Sequence, residues 1–166
     1  MGWSWGDVFE AASTLLGAKQ KYDQGKEQQR ALDDQARADE VNANLDKERA
    51  NDALKRGVME ADRAAQRKRS LVGKQRAAMG VSGVAVGRGS FSNVINDTLA
   101  AGAEDEDTIM QNSIREAWGY TARSNQSSAS AGSNRRAGRK SSEYGTLGAL
   151  GTLAAGTYSF GKNRWW

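Results

Sequence analysis

The sequence predicts an all-α protein, an elongated hairpin of two long antiparallel helices that assembles into an oligomeric ring or tube. Three observations support this fold class. No Pro occurs among the 166 residues, so no residue interrupts a long helix by removing a backbone N–H donor. Residues 18–79 are rich in Ala, Gln, Lys, Arg and Glu, which all favour helix. A Gly-rich stretch at 80–90 follows, and Gly permits the backbone angles that a turn requires.

The composition does not support a large hydrophobic core. Hydrophobic residues make up 38% of the chain, and the mean hydropathy is -0.73. Many of the apolar residues are Ala, which removes little area from water when it is buried. Stability is therefore expected to come from contact between helices or from partner subunits.

The residue types present exclude most kinds of catalytic site. The chain has no Cys and no His, which excludes disulfides, thiolate chemistry, imidazole bases and the usual zinc and haem sites. No Asp or Glu stands in an apolar setting that would tune its pKa. We therefore predict a protein that is not an enzyme, with no catalytic, cofactor-binding or metal-binding residues. The net charge of +4 fits contact with nucleic acid or anionic lipid, and it also fits an ordinary soluble protein.

The N-terminal segment, residues 1–17, has apolar residues at the three- and four-residue steps of an amphipathic helix. One interpretation is a helix face that packs on another part of the protein. The other is a segment that inserts at a membrane interface, with its Trp side chains at the level of the lipid headgroups. The residues that would insert are Trp3, Trp5, Val8, Phe9, Leu15 and Leu16.

The first long helix is predicted over residues 18–79. Its apolar positions recur at steps of 4 and 7 residues, a pattern that keeps them on one side of a nearly straight helix. These positions are Leu32, Ala36, Ala43, Ala50, Leu54, Ala61, Ala65, Val72 and Met79. Gly25, Gly57 and Gly73 mark places where the helix is expected to kink or fray.

The stretch 80–90 is interpreted as the turn of the hairpin, with Gly80 as the helix C-cap and Ser90 or Ser92 as the next N-cap. A phosphate-binding loop is the alternative, but the stretch lacks the Gly-Lys-Ser/Thr ending of that motif. In a ring of hairpins the turn would lie at one rim and contact a neighbouring ring. The residues assigned to this contact are Gly80, Gly83, Val84, Val86, Gly87, Arg88 and Gly89.

The second helix is predicted over residues 91–130. Its apolar stripe comprises Phe91, Ile95, Leu99, Ala103, Met110, Ile114, Ala117 and Thr121. If Met79 and Phe91 flank the turn, the numbers of facing residues add to about 170. This register brings Glu104 and Asp107 close to Arg63 and Arg67 and predicts charge pairing between the helices. The alternative for this acidic run is a solvated helix face.

A basic Ser/Gly/Arg linker is predicted at 131–143. Arg135, Arg136, Arg139 and Lys140 are candidates for contact with phosphates of DNA or of lipid headgroups. The alternative is a solvated linker, since no aromatic residues interleave with the cations to stack on bases.

The tail, residues 144–166, carries no charge from 144 to 161. That length lies at the lower limit for crossing a bilayer, so insertion of one copy alone is marginal. Terminal Trp residues beside Lys162 and Arg164 are typical of an interfacial anchor, and docking on a partner protein is the alternative. The residues assigned to insertion or docking are Leu147, Leu150, Leu153, Tyr158, Phe160, Trp165 and Trp166.

A family resemblance rests on residues 74–124, "KQRAAMGVSGVAVGRGSFSNVINDTLAAGAEDEDTIMQNSIREAWGYTARS". An Arg-Ala-Ala start, a Gly-Val-Ser-Gly turn, a Gly-Ser helix opening, an acidic patch and Ile-Arg-Glu-Ala-Trp-Gly-Tyr follow one another. This order resembles the smallest internal virion (core or ejection) protein of short-tailed bacteriophages. The motifs cover about a third of the chain.

The resemblance implies a non-enzymatic structural subunit that lies inside the capsid near the portal and is ejected before the genome. It implies insertion into the outer membrane of the host envelope as a homo-oligomer, where larger ejection proteins help to form a channel for genomic DNA. Portal or tail proteins and outer-membrane lipid are the other implied partners. The alternative is a helical nucleic-acid-binding protein, or a scaffold or head-tail protein, that stays in the particle.

Replacing Val81, Val84 and Val86 with Ser tests the predicted rim contact. Because exposed Val in a turn gains from burial between rings, we expect weaker assembly, measured by light scattering of the purified protein. Unchanged assembly would show that the turn makes no such contact.

Overall fold

The computed structural model contains two α-helices, α1 (Trp5–Val81) and α2 (Ser90–Lys162). The structure describes residues 5–81 and 90–162, and it describes side chains over 9–81 and 92–158. The all-α prediction of two long helices packed against each other is confirmed. Gly80, predicted as the C-cap of the first helix, lies inside α1, which continues to Val81. The remaining assigned turn residues, and those insertion residues nearest the two chain ends, lie outside this description. They are Gly83, Val84, Val86, Gly87, Arg88, Gly89, Trp3, Trp165 and Trp166, together with the side chains of Trp5, Val8 and Phe160.

Helix α2 runs without a break through residues 131–143, where a linker was predicted. Ser and Gly disfavour helix, but contacts with α1 compensate for that preference here. Ser141 Oγ donates a hydrogen bond of 2.6 Å to Gln28 Oε1. Gly138 is buried against α1, where an added Cβ would lie 3.3 Å from the Gln29 carbonyl O. Packing therefore overrides local propensity along this segment.

Contacts divide the chain into two units. We call residues 43–125 the central unit and residues 1–42 with 126–166 the terminal unit. Each unit contains a stretch of α1 packed on a stretch of α2. We call the buried surface where the two helices meet the seam.

The α1 side of the seam consists mostly of Ala and Gly. In the central unit, Ala43, Ala50, Gly57 and Ala64 recur every seven residues and are buried. Leu54, which the sequence pattern placed in the seam, is 38% exposed. The seam keeps its heptad step as far as Ala64 and reaches the predicted Val72 and Met79 only afterwards. Small residues thus take the innermost positions and the larger side chain lies at the flank.

The α2 side of the seam begins with the predicted Ile95, which is buried with Val72 and Met79, and from Ala117 onward it consists of small residues. Ala117, Ser124, Ala131, Gly138, Gly145 and Thr152 recur every seven residues and are buried or half-buried. The predicted stripe contained larger side chains, and two of them, Leu99 and Ile114, are exposed at 39% and 42%. They lie beside the seam because a seam of Ala, Ser and Gly lets the two backbones approach too closely to admit them.

Two of the three Gly residues at which α1 was expected to kink or fray are positions of close approach. A Cβ built on Gly25 would lie 2.9 Å from Gly145 Cα and 2.9 Å from the Ser141 carbonyl O. A Cβ on Gly57 would overlap the side chain of Ser113. At both positions Gly allows contact between helices, and α1 continues as helix through them.

The register of the helix pair is the same in the two units. In the terminal unit Gly25 faces Gly145, and in the central unit Gly57 faces Ser113. The residue numbers of each pair add to 170, which confirms the register expected from the sequence. Ser124, 1% exposed, reinforces this register because its Oγ donates a 2.8 Å hydrogen bond to the Ala43 carbonyl O.

Replacing Gly25 with Ala is expected to lower the free energy of unfolding by about 1–3 kcal/mol, because the new Cβ meets backbone atoms that cannot rotate away. Gly73→Ala is the matched control, since nothing lies within 4 Å of an added Cβ there. That change should raise stability by about 0.5–1 kcal/mol through helix propensity. Chemical denaturation followed by circular dichroism measures both. An equal gain in stability for the two variants would contradict the close approach at Gly25.

Candidate functional site

Large apolar side chains of the terminal unit face away from the seam. On α2, Leu147, Leu150 and Tyr158 are 62%, 57% and 75% exposed. On α1, Phe9 and Leu16 are 79% and 69% exposed. A cluster of exposed apolar residues of this kind marks a surface for a partner or a membrane. We call these five residues, with the exposed Leu15 and Tyr144, the outer apolar surface.

The spacing of residues on α2 explains how one segment carries two different faces. Leu147, Leu150, Ala154 and Tyr158 are separated by steps of 3, 4 and 4 residues, so they lie on one side of the helix, and all four are exposed. Gly145, Gly148, Thr152 and Gly156 follow a parallel series that is buried or half-buried. The small residues of this segment pack against α1, and its large apolar residues are exposed on the opposite face.

Charge is absent from this part of α2. Residues 144–158 contain no Asp, Glu, Lys or Arg, so both faces of the segment are uncharged. Phe9 and Leu16 are seven residues apart on α1 and share one side of that helix. The charged residues Lys19 and Asp23 follow Leu16 along α1. The outer apolar surface is therefore confined to the helix ends within the terminal unit.

One predicted insertion residue belongs partly to the seam. Leu153 is half-buried, because it follows Thr152 on the side of α2 that packs on α1. Over the described stretches of α1 and α2, no helix segment is long and apolar enough to cross a membrane by itself.

The basic group at 135–140 lies on a continuous helix. Arg135 Nη2 lies 2.7 Å from Glu40 Oε2 on α1, and the neighbouring Asn134 Nδ2 lies 3.0 Å from Asp39 Oδ2. Arg136, Arg139 and Lys140 are exposed. Arg135 therefore forms an ion pair between the two helices, and the other three basic side chains of the group face the solvent.

The charge pairing predicted between α1 and α2 involves different residues from those expected. Lys68 Nζ lies 2.8 Å from Glu106 Oε1, with side chains 17% and 26% exposed. Arg56 Nη2 lies 2.7 Å from Glu116 Oε1. Within the described part of the chain, Arg63, Arg67, Glu104 and Asp107 are exposed and form no ion pair.

The register expected from the sequence was right. The predicted ion pairs differ from the observed ones because the prediction did not take into account which side of each helix a charged residue lies on. Gly102 lies against the Lys68 side chain, and Glu106, one helical turn later, points toward the same side. Glu104 and Asp107 are rotated away from that side. The helical angle of each charged residue relative to the small-residue heptad would have identified Lys68 and Glu106.

These features define a helical protein whose described residues bury only small clusters along the seam and whose large apolar and charged side chains lie mostly on helix surfaces, as in structural subunits of assemblies. The chain matches the T7 virus internal virion protein gp14 family over residues 1–166 and belongs to that family. Its place is therefore inside the virion, and the resemblance to internal virion proteins of short-tailed phages is confirmed. Comparison with curated proteins and with solved structures finds no match.

Proposed function

We propose that this internal virion protein is ejected into the host envelope and helps to form an outer-membrane channel for the genome. The observation that carries the proposal is the outer apolar surface. Its side chains lie on the faces of α1 and α2 opposite to the seam, where contacts within the chain do not bury them. Burying a Leu or Phe side chain contributes about 1.5–3 kcal/mol, so a lipid environment would stabilise this arrangement.

We expect several copies to assemble, because a single helix pair is apolar on only part of its surface and cannot enclose a conduit. The uncharged segment of α2 has a face of Gly and Thr that suits contact with another helix, and only its other face is strongly apolar. In lipid, small residues let helices pack closely, so the α1–α2 seam would persist while the outer face contacts acyl chains. A homo-oligomer would surround the polar conduit that DNA requires.

The proposed partners follow from this role. In the particle, the outer apolar surface would be covered by larger ejection proteins or by portal or tail proteins. After ejection, outer-membrane lipid would cover it and genomic DNA would pass through the assembly. The absence of Pro and Cys suits a chain that must unfold and pass through a narrow tail, since no disulfide and no Pro isomer has to be re-formed.

A virion protein that stays in the particle and contacts DNA is the second candidate. Exposed Arg136, Arg139 and Lys140 favour it, because cations without acidic partners suit phosphates. Salt separates the two candidates. Phosphate contacts weaken steeply as salt rises, whereas burial of apolar side chains in lipid does not.

Flotation of liposomes with dye release tests the proposed membrane role. The variant Leu147→Glu, Leu150→Glu, Tyr158→Glu is expected to reduce dye release by more than about tenfold, because three apolar contacts become charged. The control Val41→Glu, Met59→Glu changes two exposed apolar residues of α1 outside this surface and should leave release unchanged.

The wild-type result itself can contradict the membrane role. Flotation and release that persist at high salt would support insertion through apolar contacts. Binding that is lost at high salt, or full-length protein that releases no dye, would favour the DNA-contacting virion protein instead.

A further inference from the structure

Charges in the central unit are sorted by helix. On α1, residues 63–76 contain six basic residues and no acidic one. On α2, residues 97–107 contain five acidic residues and no basic one. The two stretches face each other in the register of the helix pair. Such complete separation of sign over two facing stretches points to pairing between opposite charges.

Pairing inside the chain uses only a small part of this charge. Lys68 and Glu106 form an ion pair at the edge of the seam. Among the side chains that the structure describes, the other five cations and four anions of the two stretches are exposed and form no ion pair. They are Arg63, Arg67, Arg69, Lys74, Arg76, Asp97, Glu104, Asp105 and Asp107. Most of the complementary charge therefore remains available to another molecule.

Six of these nine charges form two ordered rows, whereas Arg69, Arg76 and Asp105 lie on other sides of their helices. Arg63, Arg67 and Lys74 follow steps of 4 and 7 residues and share one side of α1. That side differs from the one that buries Ala64 and Val72.

The acidic row has a matching pattern. Asp97, Glu104 and Asp107 follow steps of 7 and 3 residues and share one side of α2. That side differs from the one that carries Gly102 and Glu106 toward α1. Both rows are thus directed outward.

The two rows have nearly the same length, 11 residues from Arg63 to Lys74 and 10 from Asp97 to Asp107. Seven residues separate Arg67 from Lys74 and Asp97 from Glu104, and in an α-helix this spacing is about 10 Å. If an antiparallel α2 from another molecule lay beside α1, Arg67 would therefore meet Glu104 and Lys74 would meet Asp97. The third members, Arg63 and Asp107, would meet one helical turn further on.

We propose that the basic row of one copy binds the acidic row of a second copy of this chain. This inference rests on the proposed self-assembly and adds the contact that forms it. Copies related by rotation about an axis parallel to the helices are not shifted along that axis relative to one another. The next copy's α2 then lies beside α1 in the register already seen within the chain, which pairs Arg63 with Asp107, Arg67 with Glu104 and Lys74 with Asp97. The contact joins different surfaces and can close into a ring.

A nucleic acid explains less of the arrangement. Phosphates would account for the basic row, but they would repel the acidic row that lies on the partner helix at the same level. A second copy satisfies both rows with one contact and at matched spacing. The second copy is therefore the occupant that the charge pattern favours.

Cysteine cross-linking of the full chain tests this contact, because the natural sequence has no Cys. Two single variants, Arg67→Cys and Glu104→Cys, are mixed in low salt and oxidised. We expect the mixed pair to form cross-linked dimers at least about tenfold faster than either variant alone, since only the mixed pair places its thiols side by side. Arg69→Cys mixed with Glu104→Cys is the matched control, since Arg69 is exposed and loses the same charge, but it lies two residues after Arg67 and therefore on nearly the opposite side of α1.

Charge exchange provides a second test that does not depend on thiols. Reversal of the basic row (Arg63→Glu, Arg67→Glu, Lys74→Glu) should weaken self-association by more than about tenfold at low salt, because like charges then meet. Adding the reverse change in the same chain (Asp97→Lys, Glu104→Lys, Asp107→Lys) should restore it. Sedimentation measures association, and circular dichroism verifies that each variant is helical.

The outcomes separate this contact from the role proposed above. Oligomers that form without the 67–104 cross-link, or that survive reversal of one row, would overturn the contact and leave self-assembly standing. A chain that is monomeric at every salt concentration would overturn both. Dye release from liposomes is read independently of either result.

Discussion

The close approach of α1 and α2 through Gly, Ala and Ser is the constraint on which the rest of the structure depends. Gly25 meets Gly145 backbone to backbone, and Gly57 leaves room for the Ser113 side chain. This close approach excludes water and forms many van der Waals contacts between the helices, although each small residue buries little area. At Gly25 and Gly57 the close approach leaves no room for a large side chain between the helices. In the terminal unit the large apolar residues of the outer apolar surface therefore lie on the outer faces, whereas Val72, Met79 and Ile95 are buried together in the central unit.

The sequence was sufficient to predict the helices and their register, and less so the identity of the buried face. Apolar periodicity alone placed Leu54, Leu99 and Ile114 in the seam, because a hydrophobic scale ranks Leu and Ile above Ala and Gly. The structure buries the strict heptads of small residues, which only the requirement for close backbone contact explains. Close contact between small residues also explains residues 131–143. Their Ser, Gly and Arg content suggested a linker, but packing against α1 keeps the segment helical. Phe9, Leu16, Leu147, Leu150 and Tyr158 are exposed, whereas Leu153 packs partly against α1, and the insertion of these residues into a membrane or a partner stays a prediction.

Membership in an internal virion protein family gives these features a common purpose. A virion protein that acts after ejection must be stable in two environments, and a chain with no large core loses little when its surroundings change. In the central unit, charged rows and a small-residue seam are suited to contacts among protein copies. In the terminal unit, the uncharged part of α2 exposes large apolar residues. The contact between copies that we propose lies in the central unit, and the membrane contact that we propose lies in the terminal unit.

The accessibility of two neighbouring positions on liposome-bound protein tests this arrangement most directly. Single variants Leu150→Cys and Thr152→Cys place a thiol on the outer face and in the seam, where Thr152 Cγ2 lies 3.7 Å from a Cβ built on Gly17. A small lipid-soluble thiol reagent and a water-soluble one are applied to each variant. The structure predicts that position 150 reacts with the lipid-soluble reagent alone and that position 152 is protected from both. Equal reaction at the two positions with either reagent would contradict a helix pair that keeps its seam closed while its outer face contacts lipid.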